Sequence, residues 1–468
     1  MQLRRWQSEC ISKALHKFSV MGNHFLCLAT PGAGKTVMAS VLATKLLEHN
    51  QIDLILCFSP SVTVSSDFEQ ALADHTNARM DGLLGSKGRS LTYQAMLYLD
   101  DEFWKLFDTN RIFVIFDEIH HCAGDGLGNA NAWGQKIIQH IQGRATYSLA
   151  LTGTPWRSDQ IPIALSSYCQ QQKIHCDYVY GLTQAVADNV CRSPKITLID
   201  NDKVWIKHNN EVFKFSCFGE LLKKSKCSYQ QLIENEALIS YFIDKSSKKL
   251  SAIRKQHSSA GGLIVAASVE HANKISEILY RRTGDQAYIA TYREEDPLNI
   301  INRFKFNSEK WIISVGMISE GTNIPRLRVC CHLTRVKTEL HFRQVLGRIL
   351  RSSTEANEEG FLYMPAEPNL LEYATRVAQE IPDGVAIKFD SMSKAQDREC
   401  DALILKGDDN LATSVILAVD CSSTDDSDLE LDLSHQAGLT SLARSYESTV
   451  NIFGRFKQEL LSLPLTAC

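Results

Sequence analysis

Residues Ala29–Thr36 read ATPGAGKT and stand between an apolar run and a stretch with helical spacing. A turn of that composition aims successive backbone N–H groups, and the following helix N-terminus, at phosphate oxygens. Gly32 and Gly34 allow close approach of the main chain, with Pro31 and Ala33 in the same turn. Lys35 is then placed to reach the β- and γ-phosphates of a nucleotide, and the Thr36 hydroxyl to bind Mg2+. The first position of the GxxxxGK[ST] pattern is Ala29 where glycine is usual. ATP and Mg2+ are the expected ligands.

Asp117–Glu118 follow the apolar run Ile112–Phe116. Their carboxylates are expected at the C-terminal end of a buried strand, where α/β sheets place ligands. Asp117 is expected to hold the metal, and Glu118 to take the proton of an attacking water or orient it. An apolar strand ending in two acids is a weak signal alone. About eighty residues after a phosphate loop, it is strong.

Such residues need rigid elements to hold them. His24–Ala29, Leu54–Phe58, Ile112–Phe116 and Ser148–Thr152 are short apolar runs suited to strands buried on both faces, and Val37–Leu47 has helical spacing. A second series follows, with strands expected at Leu263–Ala267, Ala287–Ala290, Trp311–Val315, Val329–Leu333 and Phe361–Met364. Helices are expected between them at about Val269–Arg282, Pro297–Phe306 and Glu339–Leu350. This alternation predicts an α/β chain with a parallel sheet used twice. The stretch from Gln160 to Ser258 fits neither series; Lys195–Ile199, Val204–Lys207 and Glu211–Phe215 read as antiparallel ribbon finishing the first domain.

The loop followed by DEIHH, Asp117–His121, resembles the second large helicase superfamily, in which the latter is a DExH box. Other motifs agree in order. LRRWQ, Leu3–Gln7, is similar to the adenine-reading motif, which implies Gln7 on the adenine edge and Arg4 on its ring. LTYQ, Leu91–Gln94, resembles a strand-contacting motif, and LTGTPWR, Leu151–Arg157, the motif that couples hydrolysis to domain movement. The resemblance gives His120, Thr152 and Thr154 that coupling role. ISEGTNIP, Ile318–Pro325, looks like the motif touching backbone phosphate and nucleotide, with Gly321 on the nucleotide; Asn323 replaces the usual acid. HFRQVLGRILR carries Gln344, Arg348 and Arg351 in the QxxGRxxR pattern, whose arginines reach the γ-phosphate. TGTPWR and the segment Tyr178–Val190 are most similar to the type III restriction and DNA-repair helicase branch.

The resemblance implies two RecA-like parallel-sheet lobes in tandem with a small C-terminal extension. Residues 1–215 would form the first, ATP-binding lobe, 216–258 a connector, 259–370 the second lobe and 371–468 an extension with an acidic linker. It implies an ATP hydrolase working as a DNA helicase or translocase. RNA remodelling, or an ATP-gated binding subunit without processive unwinding, are the alternatives. DNA is favoured over RNA as partner, with a nuclease or a repair or defence subunit as the kind of protein partner to expect.

Composition sets limits around this. Net charge is −4, but Ala386–His435 holds twelve acids against four bases, leaving 42 acids and 46 bases elsewhere. A mildly basic body with an acidic stretch is compatible with a nucleic-acid partner. No run approaches ~18 apolar residues, and MQLRRWQSEC lacks a secretory pattern, so a cytoplasmic protein without a membrane span is expected. Fourteen scattered cysteines with no CxxC pair read as reduced thiols. His120, His121 and Cys122 belong to the box by this reading and are not taken as a zinc site. Cys330 and Cys331 read as core, and Trp156 as a packed aromatic or a base-stacking one. Asp390, Asp397, Glu399 and Asp401 with Lys406 lack nuclease spacing and read as solvated surface. Leu439–Leu463 carries one expected amphipathic helix that packs on the second lobe or on a partner.

Overall fold

The computed structural model describes residues 2–20, 22–155, 157, 159, 161–170, 174–208, 211–318, 322–351 and 358–379. It also describes the backbone of strands Phe389–Asp390, Thr449–Ile452 and Phe456–Leu460. Two sheets carry the chain. The first runs in the order Gly88–Thr92, Leu54–Ser59, Ile112–Phe116, Tyr147–Thr152, His24–Ala29, Tyr178–Tyr180, with every neighbouring pair parallel. Ile112–Phe116 is buried along its whole length. Phe113 and Ile115 enter the core on one face, and Ile112, Val114 and Phe116 the core on the other, which is the alternation a pleated strand imposes. A strand covered by helices on both sides must be apolar throughout, and IFVIF is.

The second sheet runs Ala287–Ala290, Trp311–Ser314, Gly261–Ala266, Leu327–Leu333, Glu359–Pro365, Ser193–Asn201, all parallel. Phe456–Leu460 and then Phe389–Asp390 extend it antiparallel. Helices Val269–Thr283, Pro297–Phe306 and Glu339–Ile349 are each started by a side-chain cap, from Ser268, Asp296 and Thr338 respectively. Each cap satisfies a backbone N–H that the first turn leaves without an intrahelical partner. The fold is α/β with tandem RecA-like lobes.

Three expectations are corrected. Ser193–Asn201 does not finish the first lobe: it pairs with Glu359–Pro365 from Ser193↔Glu359 to Ile199↔Pro365. Its buried positions, among them Ile196, Leu198 and Ile199, needed a covered sheet position, and the second sheet supplies one. The expected connector 216–258 is helical, and Glu236–Arg254 packs on Val269–Thr283 and on strand Leu327–Leu333. It belongs to the second lobe. The expected helix over Leu439–Leu463 is also absent where the backbone is described. Thr449–Ile452 pairs with Val204–His208, and Phe456–Leu460 with Ser193–Asn201, filling edges that would otherwise leave ladder groups unpaired. Apart from Phe389–Asp390, the acidic stretch lies outside the described residues, as does Trp156.

Candidate functional site

Strand His24–Ala29 delivers the loop to the C-terminal edge of the first sheet. Gly32 and Gly34 have φ of 83° and 95°, the left-handed region that glycine enters without steric cost. Gly34 is also the residue preceding helix Lys35–Glu48, so the loop runs straight into a helix N-terminus. Space is tight: a Cβ on Gly32 would lie 2.9 Å from Arg351 Cγ, and one on Gly34 2.9 Å from Gln7 Nε2. Gln7 Nε2 donates to the Gly34 carbonyl at 3.0 Å, and Arg4 Nη1 to the Ala33 carbonyl at 2.6 Å. The two residues assigned to the nucleotide base thus brace the phosphate loop.

Lys35 Nζ donates to Glu118 Oε1 at 3.1 Å and to the Ala29 carbonyl at 3.2 Å. Glu118 Oε2 accepts from Gly153 N at 3.1 Å, and His120 Nδ1 stands 3.5 Å away. Glu118 has φ 48°, unusual for a residue with a Cβ, so its side chain is held in place by a costly backbone conformation. Burial opposes ionisation of Glu118, but Lys35, His120 and the Gly153 N–H overcome it and hold the carboxyl below the usual range. Burial, then the Glu118 charge, pushes Asp117 up. Adjacent carboxylates with opposed shifts mark a site where charges are arranged for chemistry.

The Asp117 Oδ1 atom is buried and has no hydrogen-bond partner within the protein. An orphaned carboxylate oxygen lining the same cleft as the Thr36 hydroxyl is the donor set that a hard cation takes. The residues therefore fit Mg2+. Among the described residues no group of three or more His, Cys, Asp or Glu side chains is arranged to hold a metal ion.

His120 is buried and turns its Nδ1 to Thr152 Oγ1 at 3.0 Å and Thr154 Oγ1 at 3.4 Å. Thr152 Oγ1 in turn donates to the Thr154 carbonyl at 2.8 Å. The box and the TGT turn are thus one hydrogen-bonded unit. Arg157 Nη1 adds a bond to the His120 carbonyl at 2.6 Å.

The second lobe closes the cleft, which encloses about 330 Å3. Asn323, Pro325, Gln344, Arg348 and Arg351 face Lys35, Thr36, Asp117 and Glu118 across it. Arg348 Nη1 donates to the Thr322 carbonyl at 2.6 Å, and Arg351 Nη1 to Asn323 Oδ1 at 2.5 Å. Gly347 brings the arginine-bearing helix onto the loop, where a Cβ would lie 2.7 Å from Pro31 Cβ. Gly321 lies outside the described residues.

Sequence reasoning missed three contributors. Tyr93, inside the motif read as strand-contacting, is fully buried and donates its hydroxyl to the Asp117 carbonyl at 2.8 Å. Asp67, exposed at the rim, lines the cleft as a third carboxylate, and partial desolvation raises its pKa against Lys305 and Arg351. Arg192 holds the segment between the lobes. Tyr93 sits in a motif read for another role, whereas Asp67 and Arg192 neither follow an apolar run nor sit in a phosphate-loop pattern, so no local signal marked those two.

Residues 1–157 match the family described as the type III restriction enzyme res subunit. An uncharacterised protein of Mycobacterium tuberculosis is 28% identical over 388 residues, covering 80% of this chain and 63% of its own length. The DNA 3'-5' translocase XPB2 of Sulfurisphaera tokodaii is 22% identical over 394 residues, covering 75% of this chain and 79% of that protein. A fragment structure of a candidate HsdR subunit of a type I restriction enzyme from Vibrio vulnificus shares the fold, with a TM-score of 0.52 at 17% identity. It covers 77% of this chain and 63% of that one. The chain spans less than two thirds of the length of the mycobacterial relative. Loop, box and paired lobes agree with these likenesses, which support a helicase of the second superfamily.

Proposed function

We propose that the chain is an ATP-driven motor on DNA, hydrolysing ATP between its lobes and using their closure to move along or remodel the duplex. One observation carries this reading: Lys35, Asp117 and Glu118 of one lobe face Gln344, Arg348 and Arg351 of the other across a single cleft. In this reading Pro31, Gly32, Ala33, Gly34, Lys35 and Thr36 cradle the phosphates. Lys35 leaves Glu118 for the γ-phosphate when nucleotide enters, and the released carboxylate takes the proton of the attacking water. Asp117 and Thr36 would hold Mg2+, which would supply positive charge to the phosphates. Arg348 and Arg351 act on closure, where such arginines contribute about 10³–10⁵ in rate. His120, Thr152 and Thr154 carry the change at Glu118 into the TGT turn. Gln7 and Arg4, which bond the loop carbonyls, meet the base in this reading.

The preference for DNA rests on relatives whose names state DNA translocation and restriction. Phosphate contacts are largely blind to sequence, so the substrate class has to be measured. ATP turnover with single-stranded DNA, duplex DNA and RNA is the test. Stimulation by either DNA supports the reading, and stimulation by RNA alone overturns it. A strand-displacement assay on the preferred substrate then separates unwinding from translocation. A nuclease or a repair or defence subunit is the class of partner that fits such a motor.

A further inference from the structure

The chain leaves the first lobe at Val190–Arg192 and enters the second sheet at Ser193. Here a guanidinium with no exposed surface is buried at the junction. Arg192 Nε donates to Glu358 Oε2 at 2.7 Å. Its Nη1 donates to the carbonyls of Leu327 at 2.8 Å and Ile349 at 3.2 Å, and its Nη2 to that of Pro325 at 3.0 Å. The Arg192 backbone N–H reaches the Leu350 carbonyl at 2.7 Å, and Ser193 N reaches that of Glu358 at 2.8 Å. Arg328 pairs with the other oxygen of Glu358.

The carbonyls chosen matter. Ile349 and Leu350 are the residues between Arg348 and Arg351, and Pro325 ends the segment that supplies Asn323 to Arg351. One residue earlier, Cys191 forms a β-bridge with Arg351, and its Sγ lies 3.6 Å from the Pro31 carbonyl of the phosphate loop. A single planar fork therefore ties the segment between the lobes to both sides of the arginine pair. A buried ion pair is weak support for stability, because desolvation offsets most of the attraction. Geometry is the better account of its presence: five donors in a fixed plane define positions that a lysine point charge does not.

We infer that Arg192 is a positioning residue which sets Arg348 and Arg351 against the γ-phosphate and passes lobe rotation to them. The inference rests on hydrolysis occurring in the cleft, and it goes beyond that reading by assigning the link between the lobes a part in turnover. It adds no contact with nucleotide.

The test is steady-state ATP turnover with saturating single-stranded DNA, for wild type, Arg192→Lys, Arg348→Ala and the double variant. Arg192→Lys is expected to lower kcat about tenfold or more with KM for ATP changed less than about threefold. Added to Arg348→Ala, it is expected to cost little further, because both changes remove one unit. Wild-type kcat in Arg192→Lys, or losses that multiply in the double variant, would overturn the inference while leaving the hydrolysis reading intact. Absence of wild-type turnover with any nucleic acid would overturn both. Should Arg192→Lys melt below the assay temperature, Glu358→Gln keeps the shape and removes the charge that orients the fork. It is expected to show the same kcat-selective loss, and an unchanged kcat in folded Glu358→Gln counts against the inference.

Discussion

The two lobes use the same architecture differently. In the first, loop, box and TGT turn lie at the ends of adjacent strands, and their side chains already contact one another: Lys35 holds Glu118, and Glu118 holds Gly153. In the second, the arginines are bonded to their own lobe, Arg348 to Thr322 and Arg351 to Asn323. In the proposed motor the first lobe is pre-organised to bind phosphate and the second holds its cations in reserve until closure. Binding and turnover should therefore be separable by substitution, one lobe governing each.

The largest effect expected on that division comes from Glu118→Gln. The amide keeps the shape but cannot take a proton, so turnover should fall by about 10²–10⁴ with nucleotide still bound. Rapid-quench measurement of bound ATP and ADP decides it. Unimpaired hydrolysis would show that the first lobe does not carry the base.

A smaller effect is expected where the lobes touch. Gly347→Val places branched carbon where a Cβ already lies 2.7 Å from Pro31 Cβ, so the arginine helix must stand back from the loop. Displacement of about 1 Å can cost about 10² in rate, so kcat should fall while nucleotide affinity holds. Equal loss of affinity would mean that the loop itself was deformed, blurring the division.

The smallest effect concerns stability. Burial lowers His24 in the first lobe to about 4, and His271 and His332 in the second to about 4 and about 3. A histidine kept neutral in the fold binds its proton more readily when unfolded. Its contribution is thus present above about pH 6.5 and lost as pH falls toward the native value, roughly 2 kcal/mol each at pH 5. Asp117, raised in the first lobe, acts oppositely, since its native form takes up a proton first. Hydrogen exchange at pH 7 and pH 5 should therefore show the second lobe losing more protection. A larger loss in the first would break the comparison.

The sequence was unevenly legible, for physical reasons. Ala287–Ala290 and Pro297–Phe306 were read with their bounds intact, and Ile112–Phe116 with both carboxylates at its end. Local pattern suffices when a segment's environment is uniform, apolar for a covered strand or one-sided for a helix. Gly88–Thr92 and Tyr178–Tyr180 went unread because each mixes polar and apolar residues at the edges of the first sheet. Lys195–Ile199 reads as antiparallel ribbon of the first lobe, whereas Ser193–Asn201 pairs parallel with Glu359–Pro365, more than 150 residues away. Alternation states that a face is buried and does not say against what. Arg192 left no trace for the same reason: it bonds carbonyls of Pro325, Leu327 and Ile349, more than 130 residues away, and no local pattern ties them to it.

The most direct measurement sets Lys35→Ala beside Arg348→Ala, recording nucleotide affinity and nucleic-acid-stimulated kcat for both. With binding in the first lobe and turnover completed by the second, Lys35→Ala should lose both quantities. Arg348→Ala should keep its affinity and lose about 10³ or more in kcat, because its contact is made in the closed transition state. Full kcat in Arg348→Ala together with weakened nucleotide binding would contradict the account.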